Sequence, residues 1–160
     1  MRAQATFMPE GPDDLADAAG RPDVTRLVTR GVRRHLSQLG YASVAEVTLK
    51  GGRRADIIAM DDKGTLLIVE VKSGLADFAA DGKWPDYTGF CDRFYFAVAA
   101  DFPVDLIPDH CGLIVADGYE ATIEREPPPL PLAGARRKAM LIRLARLAAA
   151  KLHRQEDPFA

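Results

Sequence analysis

Two short apolar runs separated by a reversal form the most regular hydrophobic pattern in the chain. Residues 54–60 and 66–72 flank Asp61-Asp62-Lys63-Gly64, a cluster of residue types that favour tight turns. Nearly every position in both runs is apolar, which is typical of strands covered on both faces of a sheet. The pattern therefore predicts a central β-hairpin, and the few charged residues near its strand ends call for an explanation.

Helical and strand periodicities continue on both sides of this hairpin. Before the hairpin they predict a helix over 23–40, with Asp23 as N-cap, and a strand over 41–50. After it they predict a helix over 75–90 that is broken near 82–85, a strand over 93–100, a hairpin over 111–124 and a helix over 134–154. The strand over 93–100 follows a crossover helix, so it should run parallel to the outgoing hairpin strand. The predicted class is α/β, with a mixed central sheet flanked by helices in the order αβββαβ, then a C-terminal hairpin and helix.

The two ends of the chain differ in composition from its middle. Residues 1–22 lack apolar periodicity and predict a mobile N-terminal arm, residues 23–126 form the α/β domain, and residues 127–160 hold a proline-rich linker and a basic helix. The C-terminal helix should face the core with Leu141, Leu144, Ala148 and Leu152. Its seven basic residues favour contact with a nucleic-acid backbone, while simple packing on its own domain is a strong alternative.

Composition sets limits on class and location. The chain has 160 residues, of which 48% are hydrophobic and 28% charged, as in one soluble domain with a real core. The formal net charge is −2, so any nucleic-acid role depends on where the basic residues lie. Cys91 and Cys111 fit neither a metal knuckle nor a disulfide framework. No signal peptide or membrane span is predicted, and we expect a cytoplasmic protein.

The charged residues of the central hairpin predict a site. If Met60 faces Leu66 across the turn, Asp56 lies directly opposite Glu70, with Cβ atoms about 5 Å apart. Two such carboxylates repel each other unless a positive charge lies between them. A divalent metal ion suits oxygen ligands, and Lys72, on the same face as Glu70, supplies a fixed positive charge beside it.

Simpler interpretations of the same residues remain open. A Glu-x-Lys strand is often only a cross-strand ion pair, and an aspartate at the start of a strand is often a turn residue. Arg53 and Arg54 precede the predicted metal site, where they would hold a phosphodiester backbone, or they are polar residues leaving a turn. The apolar flanks of the hairpin favour the metal site over a solvated face.

The spacing of these residues also carries a resemblance. Asp56, followed after thirteen residues by Glu70-Val71-Lys72, resembles the D…(D/E)-x-K signature of the PD-(D/E)XK, or restriction-endonuclease-like, nuclease superfamily. The longer run through most of residues 20–125 is similar to the MmcB family of bacterial DNA repair proteins. The stretches that carry this similarity are Glu70-Val71-Lys72-Ser73-Gly74, Asp77-Phe78, Asp81, Lys83-Trp84-Pro85-Asp86-Tyr87 and residues 91–98.

The resemblance implies a restriction-endonuclease-like core and hydrolysis of DNA in repair, dependent on Mg²⁺ or Mn²⁺. Asp56 and Glu70 would be the metal ligands, with the backbone carbonyl of Val71 as a further ligand, and Lys72 would orient the attacking water or stabilise charge on the phosphate. It also implies that Lys83 and Tyr87 contact DNA. A homodimer would suit a small nuclease that acts on both strands.

One departure from the superfamily pattern keeps other functions open. Some members carry a further metal-binding acid in the first helix, whereas nothing acidic lies between Val24 and Tyr41 here. A non-catalytic DNA-binding or adaptor protein that retains the nuclease fold is therefore the alternative. A weaker third hypothesis is a scaffold in which the three charged residues are only an ion-pair network.

Overall fold

The central hairpin has the predicted register. In the computed structural model, which describes residues 20–159, strands β2 (Arg54–Met60) and β3 (Leu66–Lys72) are antiparallel, with Met60 opposite Leu66 and the last pair at Ile57 and Val69. The Asp61 side chain closes the turn by accepting the Lys63 and Thr65 N–H groups. This register brings Asp56 beside Glu70.

The hairpin lies within a six-stranded sheet formed by the described part of the chain. The other strands are β1 (Ala42–Thr48), β4 (Arg93–Val98), β5 (Gly112–Ala116) and β6 (Ala121–Arg125). Their order in the sheet is the order in the chain. β4 pairs in parallel with β3, as predicted, and also with β5, whereas the remaining neighbours are antiparallel. The sheet is therefore mixed.

Helix α1 (Arg21–Gln38) covers one face of this sheet. Its stripe of Val28, Val32 and Leu36 is buried in one cluster with alternate residues of β3, including Val69 and Val71. Asp23 lies in the first turn and Gly20 precedes the helix, so the prediction of Asp23 as N-cap was wrong. An acid within the first turn still interacts favourably with the helix dipole. The predicted mobile arm, 1–22, lies outside the described residues except for its last three.

The opposite face is covered by a broken helix and by the C-terminal helix. The break near 82–85 is confirmed, because α2 (Leu75–Ala80) ends before a 3₁₀ helix at Trp84–Phe90. Trp84 stacks on Phe94 with ring centroids 5.5 Å apart. The 3₁₀ helix is thus fixed on the sheet by aromatic packing.

Helix α3 (Gly134–Glu156) docks through only part of the predicted stripe, in which Leu144 is buried and Leu141 packs against the core. Met140 and Leu144 are buried, whereas Ala148 and Leu152 are exposed, so the prediction of those two as core residues was wrong. The physical reason is an anchor at the start of the helix, where Arg137 forms two contacts with the Asp92 carboxylate. No helix in residues 20–159 has the length and apolar character needed to cross a membrane.

The proline-rich segment is also tied to the sheet through Asp92. The Leu130 N–H donates to the Asp92 carbonyl and the Leu132 N–H donates to Asp92 Oδ1. The same carboxylate accepts the Leu66 N–H at the start of β3. Asp92 therefore joins the linker, α3 and the central strands into one packed unit.

Candidate functional site

The site begins where β2 and β3 separate beyond their last paired residues. The Asp56 N–H donates to Glu70 Oε1 at 3.1 Å, and the Val71 N–H donates to Asp56 Oδ2 at 2.8 Å. Each carboxylate thus takes the place of a missing strand carbonyl. This reciprocal arrangement fixes two acidic side chains next to each other at the open end of the hairpin.

The two carboxylates are poorly compensated. Glu70 is only 5% exposed, and burial, followed by the negative charge of Asp56, raises its pKa to about 8. Burial likewise raises the pKa of Asp56, although the Val71 N–H and the charge of Lys72 oppose this effect. Within residues 20–159, neither carboxylate has an ion-pair partner within 4.0 Å. When both carboxyls are ionised, the pair therefore carries negative charge that a bound cation would neutralise.

The donor set fits a small hard cation. One oxygen of each carboxylate is held by a backbone N–H, and the described residues supply no hydrogen bond to Asp56 Oδ1 or Glu70 Oε2. Those residues also contain no group of three or more His, Cys, Asp or Glu side chains suited to a metal. Mg²⁺ commonly binds through one or two carboxylates and keeps several waters, so two acids suffice.

The third predicted ligand is the backbone carbonyl of Val71. The N–H and C=O of a strand residue point to the same neighbouring strand. Because the Val71 N–H faces Asp56, we expect its carbonyl to lie on that side as well. Coordination by this carbonyl stays a prediction.

Lys72 lies beside the acids but has its own partner. Its Nζ is 2.6 Å from Asp81 Oδ2, and the two side chains are 7% and 17% exposed. Burial acts to raise the pKa of Asp81, but the hydrogen bonds from Lys72 and from the Lys83 N–H outweigh it, and the net pKa is lowered. Asp81 is therefore an ionised partner that neutralises Lys72.

Sequence reasoning assigned no role to Asp81 or to Asp77. Asp77 accepts hydrogen bonds from the N–H and the hydroxyl of Ser73, directly after β3. Its negative charge also contributes to the raised pKa of Asp56. The signals were the crowding of acids after β3 and their place in the run that resembles the MmcB family, but spacing in an irregular segment does not show which acid reaches Lys72.

Three of the four predicted DNA contacts lie near the same end of the sheet with exposed or half-exposed side chains. Arg53 Nε bonds Asp86 Oδ2 at 2.6 Å and its side chain is 33% exposed. Arg54 is 62% exposed and lies 3.8 Å from Glu46. Lys83 is exposed at the start of the 3₁₀ helix. These residues stay candidates for phosphate contact.

Tyr87, the fourth predicted contact, is turned inward. It is only 7% exposed, its ring stacks on Phe94, and its hydroxyl donates to the carbonyl of Arg54 at 3.0 Å. Burial, followed by nearby negative charges, raises its pKa to about 12, so the hydroxyl keeps its proton. This geometry favours a role in positioning the backbone of Arg54 over direct contact with DNA.

Comparison with known proteins gives this geometry a family context. A family model for DNA repair protein MmcB-like matches residues 13–159. The structure of the SPO1766 protein of unknown function from Silicibacter pomeroyi is similar, with 42% sequence identity, a TM-score of 0.81, and coverage of 84% of this chain and 92% of that chain. Comparison with curated proteins finds no match. Because the family model spans nearly the whole chain, this protein belongs to the MmcB-like family of DNA repair proteins, as its sequence predicted.

Proposed function

We propose that this protein is a metal-dependent nuclease that hydrolyses DNA phosphodiester bonds in repair, with the restriction-endonuclease-like core of the PD-(D/E)XK superfamily. The observation that carries the proposal is the reciprocal pairing of Asp56 and Glu70, neither of which has an ion-pair partner within residues 20–159. The element order αβββαβ at the start of the chain supports it. Membership in a DNA repair family supports DNA as the substrate of this site.

Each residue of the pair has a defined task in this proposal. Asp56 and Glu70 would hold Mg²⁺ or Mn²⁺, which when bound acts as a Lewis acid and activates water near neutral pH. The backbone N–H groups of Val71 and Asp56 keep the two carboxylates oriented in advance. Preorientation matters because a displacement of about 1 Å in such a site costs about a hundredfold in rate.

Lys72 would contribute a compact positive charge on the same face as Glu70. Residues two apart in a strand point to the same side, so Lys72 and Glu70 share one face of the sheet. A lysine there can stabilise charge on a transferring phosphoryl group. Arg53, Arg54 and Lys83 would bind the flanking phosphates, which position DNA without reading its sequence.

The direct test is cleavage of DNA with and without metal. We expect the wild-type protein to cut at least one of supercoiled, single-stranded, branched or damaged DNA with Mg²⁺ or Mn²⁺, and not with EDTA. Asp56→Asn and Lys72→Met should each lower the rate by at least about a hundredfold. Lys63→Met, in the exposed hairpin turn, is the matched control for lysine loss. The proposal would be contradicted if the wild-type protein cut none of these substrates with either metal.

A second candidate is a DNA-binding or adaptor protein without catalytic activity. It is favoured by the short ion pair between Lys72 and Asp81, which engages the lysine that catalysis would need. In that case Asp56→Asn and Lys72→Met would leave both DNA binding and repair in cells intact. Isothermal titration with Mn²⁺ separates the two candidates without any activity assay, because only the nuclease requires the carboxylate pair to bind metal.

A further inference from the structure

A large groove runs beside the 3₁₀ helix on the α3 side of the sheet. It encloses about 1200 Å³ between the 3₁₀ helix, the end of the proline-rich segment and the first half of α3. Lys50, in the turn that leads from β1 to Arg53, lies at its margin. The groove and the candidate active site thus share two structural elements, the 3₁₀ helix and the β1–β2 turn.

The charge of this groove is entirely positive among its described lining residues. Lys50, Arg136 and Arg143 line it with exposed side chains, and no acidic side chain does so. Arg136 donates to the Gly89 carbonyl through one terminal nitrogen, and Arg143 donates to the Thr48 carbonyl through Nε. Because each guanidinium has five N–H donors, both arginines are held in place with donors to spare for an anion.

The remainder of the lining is apolar and includes one aromatic ring. Leucine, proline, alanine and methionine side chains form most of the walls. Phe90 is half-buried, and the guanidinium carbon of Arg136 lies over its ring, 5.5 Å from the centroid. Aromatic rings and guanidinium planes are the surfaces on which unpaired bases stack.

We infer that this groove binds a single-stranded segment of DNA next to the candidate active site. Phosphates alone would explain the three cations, but they would gain nothing from apolar walls. Duplex DNA keeps its bases inside the stack, whereas a single strand presents both phosphates and base faces. The inference rests on the proposed function, since it assigns that site substrates with an unpaired strand, such as flaps, overhangs or gaps.

The test adds one negative charge inside the groove. Ala139→Glu places a carboxylate at helical spacing from both Arg136 and Arg143, where it forms ion pairs that also stabilise the helix. Ala145→Glu is the matched control, since Ala145 is exposed on the same helix and does not line the groove. Binding of fluorescein-labelled oligothymidylate of about 20 nucleotides is measured by anisotropy in EDTA, beside a hairpin duplex.

We expect Ala139→Glu to weaken oligothymidylate binding at least about tenfold, and Ala145→Glu to change it less than about twofold. Duplex binding should change less than about twofold in both variants. Phe90→Leu keeps the wall apolar but removes the ring, and it should weaken single-strand binding about tenfold and reduce quenching of a 2-aminopurine probe. Equal binding of oligothymidylate by the wild-type protein and Ala139→Glu would overturn the inference.

Two further outcomes would also overturn it. One is equal weakening of duplex and single-strand binding, which would indicate contact with outer phosphates alone. The other is displacement of oligothymidylate by polyglutamate as readily as by unlabelled oligothymidylate, which would indicate a general anion surface. Because all binding is measured in EDTA, the groove can hold a single strand in a protein that never cleaves DNA, and the two proposals fail separately.

Discussion

Substitution of Glu70 is expected to stabilise the protein, whereas substitution of a buried residue usually destabilises it. The pKa of Glu70 rises from an ordinary 4.5 to about 8, chiefly through burial and then through repulsion by Asp56. The folded state therefore holds a proton that the unfolded state has lost between these two pH values. Stability must then fall as pH rises from about 4.5 to about 8, and the full penalty is present above that window.

Glu70→Gln removes this penalty while retaining an oxygen that can accept the Asp56 N–H. The change in pKa from 4.5 to about 8 sets an upper limit of ~5 kcal/mol on the gain in unfolding free energy. Relaxation and water reduce the cost of a buried charge, so we expect about 1–3 kcal/mol at about pH 9. That corresponds to a rise in Tm of about 2–4 °C per kcal/mol. Below about pH 4 the gain should vanish, since the carboxyl is then neutral in both states.

Thermal and urea unfolding at about pH 9 and about pH 4 measure this gain. Glu124→Gln, on the exposed face of β6, is the control for loss of one glutamate charge. Millimolar Mg²⁺ should raise the Tm of the wild-type protein above about pH 8 and leave Glu70→Gln unchanged, because the cation binds only the ionised pair in the folded state. A Glu70→Gln variant that is destabilised equally at both pH values would refute the reasoning.

Two contacts and one buried thiol give further predictions. Asp92→Asn weakens the pairing with Arg137 and should cost about 2–4 kcal/mol in urea unfolding at neutral pH. The hydrogen bond from Arg137 lowers the pKa of Asp92, so the stability that this pair contributes is lost as pH falls through the lowered pKa. A destabilisation by Asp92→Asn that persists below this pKa would contradict the prediction. Tyr87→Phe removes the donor to the Arg54 carbonyl and should lower stability in thermal melts by about 1 kcal/mol, whereas no change would argue against that bond. Burial raises the pKa of Cys91 to about 12, so Ellman's reagent at neutral pH should modify it only as fast as the protein opens; rapid labelling would be inconsistent with its burial.

The central pairing could be predicted from sequence because a short turn fixes register. With Met60 opposite Leu66, strand periodicity alone places Asp56 beside Glu70, and the hydrogen bonds between them follow. The partner of Lys72 could not be predicted, because no short turn or regular element fixes its position. Asp81 follows α2 in an irregular stretch, where no period relates position in the chain to direction in space.

The docking of α3 could be predicted from its apolar pattern only in part, since Leu141 and Leu144 pack on the core but Ala148 and Leu152 do not. The helix is rich in alanine, so several stripes have similar hydrophobicity and none is specified by periodicity alone. The face of α3 that packs on the sheet is selected by hydrogen bonds to residues distant in sequence. Arg137 donates to the Asp92 carboxylate, and Arg143 donates to the Thr48 carbonyl. Four of the seven basic residues bind the domain itself in this way, including Arg136 and Lys151. These contacts hold α3 against the domain, whereas contact of the helix with nucleic acid stays a prediction.

In the proposed metal site, the contact between Lys72 and Asp81 would affect how the carboxylate pair binds a cation. An ammonium without Asp81 would be drawn toward Glu70, whose charge is buried on the same face, and would fill the position that a metal needs. Asp81 would therefore act as a positioning residue that keeps the Lys72 ammonium out of the proposed cation position. The same contact ties the end of α2 to β3, beside the packing of Phe78 on Phe96 and Phe102.

Asp81→Asn tests this role through the binding of Mg²⁺. The freed lysine should lower the pKa of Glu70 and compete with the cation, so the Mg²⁺ concentration that half-saturates the rise in Tm should increase about tenfold. Adding Lys72→Met in the same chain removes the competitor and should return that concentration to within about threefold of the wild-type value. If Asp81 has only a structural role, Asp81→Asn should lower the Tm without changing the Mg²⁺ concentration that half-saturates its rise. The double variant would then show no recovery relative to Asp81→Asn.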